Sequence, residues 1–105
     1  MFTTLRVEWN IWKLRSSSGR TQLVGTRALL RIGAPAVKRL ISELRYNHVT
    51  QVRVAQILGD LGDSRAIAPL IDALNKCDRG FFGIGMNSAV VKEMIYEALE
   101  KLGVQ

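Results

Sequence analysis

The feature that most constrains this chain is an internal repeat of about 30 residues that sets three glycines in one register. A shift of 30 lays Ala36, Val37, Leu40, Ile41 and Leu44 on Ala66, Ile67, Leu70, Ile71 and Leu74. A shift of 29 lays Leu23, Leu29, Ile32 and Gly33 on Val52, Leu58, Leu61 and Gly62. A shift of 41 carries Val54, Leu58, Leu61 and Gly62 onto Ile95, Leu99, Leu102 and Gly103. Leucine matching leucine is cheap between any two helices, but glycines recurring at the same place in each unit are not. The unit is a helix pair, and the last pair carries about 12 extra residues between its helices.

Apolar spacing follows the helical period throughout, with no stretch of strict alternation. It predicts helices over roughly 3–15, 20–33, 35–46, 50–61, 65–76 and 88–102, with Ser16-Ser17-Ser18-Gly19 as a loop. Gly33, Gly62 and Gly103 read as helix ends, Pro35 as a first-turn residue, and Asp63 or Ser64 as a cap. The expected fold is all-α: a solenoid of about three helical hairpins spanning residues 1–105 as one domain. Residues 1–19 are expected to form an atypical N-terminal capping helix and loop, and 77–88 a Gly/Phe insert. A single pair cannot bury its own apolar faces, so each must shelter its neighbour.

Composition narrows the function. One cysteine closes no internal disulfide, and with one histidine it builds no ordinary four-ligand zinc site. No apolar run reaches the length of a membrane-spanning helix. Arg6, Glu8, Lys13 and Arg15 interrupt the N-terminal region where a signal peptide would have its apolar core, so a cytoplasmic location is expected. The formal net charge of +6 is unevenly shared. Residues 1–53 hold ten basic and two acidic groups, and residues 54–105 hold five and seven. Such a polarity steers acidic partners to one end or favours head-to-tail self-association.

The stretches ALLRIGAPAVKRLISEL and QILGDLGDSRAIAPLIDAL resemble the short HEAT-like repeats named after phycobilisome (PBS) lyases, and Val52-Arg53 resembles the valine–arginine pair of that family. The resemblance covers residues 22–75 well and 91–103 in part. It implies an α-solenoid used as an interaction scaffold, in which the second helix of each pair lines the concave face and Arg53 pairs with a neighbouring acid or carbonyl.

Three surfaces are candidates for partner binding. Arg20, Arg27, Arg31, Arg53 and Gln56 fall on the second helices and would form a concave basic strip, suited to an acidic peptide or phosphates. In that register Arg31, Asp60 and Lys101 alternate in sign and also read as an inter-repeat ladder of ion pairs. The insert offers Phe81, Phe82, Ile84 and Met86 as a gripping tip or as cover for the end of the stack. The last helix offers Val91, Met94, Ile95 and Leu102 as an apolar face with no following repeat, and hence a site for a second copy or another protein. Trp9 and Trp12 read as packed within the capping helix, with an exposed binding pair as the alternative.

No catalytic constellation, metal site or cofactor is expected. Cys77 and His48 fall in different units, Glu93, Glu97 and Glu100 read as a solvated helix face, and Gly83-Ile84-Gly85 lacks the strand and lysine of a nucleotide cradle. A HEAT-like DNA glycosylase would need an acidic companion for the tryptophans, and Glu8 alone is near them. The expected function is a non-enzymatic scaffold for a protein partner, acidic in character, with homo-oligomerisation through the last helix. A basic nucleic-acid-binding module is the alternative, and a subunit assisting bilin attachment or removal is a further one.

Overall fold

The computed structural model describes residues 2–46, 50–78 and 88–104. Among them are six α-helices and no strand: α1 (Phe2–Leu14), α2 (Gly19–Ile32), α3 (Ala34–Tyr46), α4 (Gln51–Leu61), α5 (Ile67–Asp78) and α6 (Ser88–Lys101). A single 3-10 turn, Ser64–Ala66, leads into α5. Each helix falls within two residues of its sequence-predicted span, the usual slack at helix ends.

The three register glycines do the same job. Gly33, Gly62 and Gly103 have φ of 73°, 70° and 89°, a region that side chains with a Cβ avoid. At the last of them Gly103 N donates to Glu100 O at 3.0 Å and Val104 N to Leu99 O at 2.9 Å, which closes the carbonyl end of α6. Gly33 serves two helices at once: its N–H donates to Leu29 O and its carbonyl accepts from Ala36 N. No linker separates α2 from α3, and Pro35 sits one residue into α3, where an N–H has no helical partner to lose. Ser18 caps α2 through its hydroxyl, and Asp63 Oδ1 accepts the N–H of Arg65 at 2.9 Å.

The helices stack in chain order. α1, α3 and α5 form one layer and α2, α4 and α6 the other, with each helix touching its pair-mate and its sequence neighbours in the layer. Two glycines set the closest approaches. A Cβ on Gly25 of α2 would stand 2.8 Å from Asn10 O of α1, and one on Gly59 of α4 would stand 2.8 Å from Cα of Ala98 in α6. The core runs through the whole stack: Leu29, Val37, Leu40, Leu44, Val54, Ile57, Leu58, Leu70 and Ile95 are all buried. Repeat-equivalent positions lose cover towards the end. Ile41 is half-buried between neighbours, whereas its repeat equivalent Ile71 on α5 is exposed.

Two expectations about burial are corrected. Trp9 and Trp12 do not pack inward: α1 buries Val7, Asn10, Ile11 and Leu14 instead. The last helix does not leave Val91 and Ile95 free. Both are buried, α6 packs on α4 and α5 through them with Ala98 and Leu99, and Met94 and Leu102 are half-buried. The close α4–α6 contact at Gly59 is what draws that face into the core.

Candidate functional site

The rotation of α1 is set by charge. Glu8 pairs with Arg39, and Arg15 makes a two-pronged bond to Glu43, Nε to Oε2 at 3.0 Å and Nη2 to Oε1 at 2.8 Å. Glu8 and Arg15, the residue just past the end of α1, are seven apart, two helical turns, so both fall on the side that meets α3. Glu43 is a hub. It also accepts from Arg39 Nη1 at 3.2 Å and from the hydroxyl of Thr50, the residue before α4, at 3.1 Å. Its side chain is 2% exposed. Burial pushes its carboxyl pKa up, but the Arg15 hydrogen bond and charge, with donors from Thr50 and Arg39, outweigh that and hold it below the ordinary value. This clasp joins α1, α3 and the start of α4. It is structural, and the sequence reading missed it.

With Val7, Ile11 and Leu14 turned inward, the opposite stripe of α1 faces outward at the start of the stack. Phe2 is 80% exposed, Leu5 64%, and Trp9 and Trp12 58% each. The two indoles stack on one another, with centroids 5.2 Å apart and planes 13° from parallel. Lys13 Nζ lies 5.5 Å from the Trp9 ring centroid, a cation–π contact. Arg6 shares a shallow depression with Thr3, Arg31, Ile32 and Pro35, so the rim of this aromatic face runs into the basic surface of α2.

The second-helix layer carries the predicted strip. Arg20, Arg27 and Arg31 are exposed on α2, with Leu23 and Val24 exposed between them. Among the described residues none of the three arginines has an ion-pair partner. Arg53 behaves differently. Its Nη1 donates to Gln56 Oε1 at 3.3 Å and its Nη2 to Gln22 Oε1 at 3.4 Å, so it bridges α4 to α2 through amide oxygens and is half-buried. The ladder is half built: Lys101 Nζ lies 2.6 Å from Asp60 Oδ1, which raises the lysine pKa, while Arg31 stays outside it. The surface thus grades from three free arginines on α2 to Glu97 and Glu100 on α6.

The insert residues Phe81, Phe82, Ile84 and Met86 lie outside the described residues, as does His48, and the side chain of Cys77 is likewise not described. Among the described residues no three His, Cys, Asp or Glu side chains converge as a metal site. No helix among them is long and apolar enough to cross a membrane.

Residues 50–76 match the family of the PBS lyase HEAT-like repeat. No curated protein and no solved structure matches the chain. The matched segment runs from Thr50 through α4 and the 3-10 turn into α5, so the family frames its unit one helix later than hairpins counted from the N-terminus. In a periodic stack that frame is a matter of where counting starts. Both the glycine at the α4 end and the buried Ala66–Leu70 face of the next helix fall inside it. Residues 50–76 thus resemble a PBS lyase HEAT-like repeat, and the described residues around them form a stack of helices.

Proposed function

We propose that this chain is a non-enzymatic interaction scaffold that binds an acidic protein segment along its second-helix layer, across α2 and α4. The observation that carries the reading is the row Arg20, Arg27 and Arg31, exposed and without ion-pair partners among the described residues, interleaved with exposed Leu23 and Val24. Arginines supply forked donors for carboxylates, and the apolar pair between them suits the aliphatic side of an amphipathic segment. A phosphate backbone would use the arginines and leave Leu23 and Val24 without a role. Gln56 and Arg53, tied to each other beside Gln22, extend the polar floor of the same surface.

The test is affinity capture from the source cell with the parent chain and with Arg20→Glu/Arg27→Glu/Arg31→Glu, the retained proteins being identified by mass spectrometry. The expected result is a protein with an acidic segment that the parent holds and the variant releases, with helix content and melting temperature unchanged. Titration with labelled duplex and single-stranded nucleic acid separates the alternative. Tight binding that falls steeply with salt and vanishes in the same variant would replace the protein reading with the nucleic-acid one. For bilin handling, a change in the absorption spectrum of added bilin is the discriminating signal.

A further inference from the structure

α1 and α6 stand at opposite ends of the stack, one against α2 and α3 and the other against α4 and α5. The outer side of α1 is where a preceding helix of the array would lie, and it presents Phe2, Leu5, Trp9 and Trp12 with Arg6 and Lys13 at its edge. The side of α6 turned away from α4 and α5 presents Glu93, Glu97 and Glu100, all exposed, around exposed Val90 and Tyr96. We propose that these two ends are the halves of one interface, and that copies of the chain associate head to tail, α1 of one on α6 of the next.

Three observations select this occupant. The ends are opposite in sign, so α1 against α6 sets Arg6 and Lys13 towards a carboxylate row, whereas α1 against α1 sets them towards themselves, beside the free arginines of α2. The contact also continues the stacking by which each helix pair already covers its neighbour, so it needs no new kind of packing. Finally, the three aromatic side chains of α1 alone leave on the order of 400 Å² of apolar surface in water, a size at which patches are usually functional. That is about half of what each partner contributes to a stable complex, which marks the association as a weak one. A head-to-tail contact leaves a free end at each side, so mass increases progressively with concentration unless a ring closes. The contact uses α1 and α6 and leaves Arg20, Arg27 and Arg31 of α2 open, so either can fail without the other.

Sedimentation velocity over a concentration series tests it, with two end-blocked variants. One is Trp9→Ser/Trp12→Ser, and the other is Glu93→Lys/Glu97→Lys/Glu100→Lys. All five positions are solvent-exposed, and circular dichroism melts confirm that each variant keeps the fold. The parent is expected to show a weight-average mass that rises with concentration and falls as salt is added. Each variant alone stays monomeric. Their mixture forms a one-to-one dimer that grows no further, because one good face remains on each. A charge-swapped pair, Arg6→Glu/Lys13→Glu with the triple lysine variant, regains at least tenfold of the affinity that either loses against the parent. A parent that stays monomeric at its highest soluble concentration overturns the proposal. So does a triple lysine variant that self-associates as well as the parent, which would mean α1 pairs with α1. Binding of a monomeric chain to anionic phospholipid vesicles through Trp9 and Trp12 overturns it as well.

Discussion

Neutralising Glu43 is the sharpest perturbation the structure offers. Glu43→Gln keeps the size and one acceptor oxygen, but it turns an amide N–H₂ towards the guanidinium groups of Arg15 and Arg39. Breaking a buried ion pair by removing one partner typically costs about 3–5 kcal/mol, mostly from the charge left behind. Here the residues left behind are not sealed in: the Arg15 and Arg39 side chains are 43% and 34% exposed and can turn to water. The loss is therefore expected at the lower side, about 2–3 kcal/mol near neutral pH, or a melting temperature lower by roughly 10–15 °C for a domain of this size. Because the folded carboxyl pKa is lowered, the ionised clasp contributes fully above the unfolded value of about 4.3 and is lost as pH falls through the folded value. Below that, the parent carboxyl is itself neutral and the two proteins converge. Urea unfolding of both, followed by circular dichroism from neutral pH down to about pH 3, reads the difference directly. A gap that is as wide in acid as at neutral pH, or smaller than about 0.5 kcal/mol throughout, would refute the clasp.

Gly59→Ala drives a Cβ to within 2.8 Å of the Ala98 backbone. It should cost about 1–3 kcal/mol in urea unfolding, the range for overpacking, and more than Ala substituted at exposed Gly19, where a Cβ meets nothing. Gly62→Ala meets no atom either, but it forces alanine to φ near 70°, so about 1 kcal/mol is expected from backbone strain alone. Trp9→Ser/Trp12→Ser should change the melting temperature little, by less than about 1 kcal/mol in stability, whereas Ile11→Ala, on the inward stripe of the same helix, should cost about 2–5 kcal/mol. Equal losses from the two α1 substitutions would mean the tryptophans are packed after all.

Most of the architecture was legible because it repeats. Gly33, Gly62 and Gly103 appear in register in the sequence, and each supplies the positive φ at a helix end. The faces of the two outermost helices were not legible. α1 has two apolar stripes, Val7–Ile11–Leu14 and Phe2–Leu5–Trp9–Trp12, and a count of apolar spacing weighs the larger aromatic set more heavily. Burial was decided elsewhere, by Glu8 and Arg15 meeting Arg39 and Glu43, and by Gly25 allowing α2 to press on the Asn10 backbone. The matched spacings were the available signal: Glu8 on α1 and Arg15 just past its end, seven apart, and their counterparts Arg39 and Glu43 four apart on α3. Arg53 was legible as a bridging residue, but not its amide partners, since Gln22 is 31 residues away and reaches it only through the stack.

The junction at Gly33 has a mechanical consequence. The first two hairpins are joined there by Gly33 alone, while about 15 Å along α3 the Glu43 carboxylate holds the end of α1. One attachment is covalent and indifferent to acid; the other is ionic and not. The α2–α4 seam between them is slighter than the α4–α6 seam. Amide protons of α1 and α2 will therefore gain access to solvent before those of α4 as the solution is acidified, the leading hairpin swinging on its glycine pivot while the rest of the array stays shut.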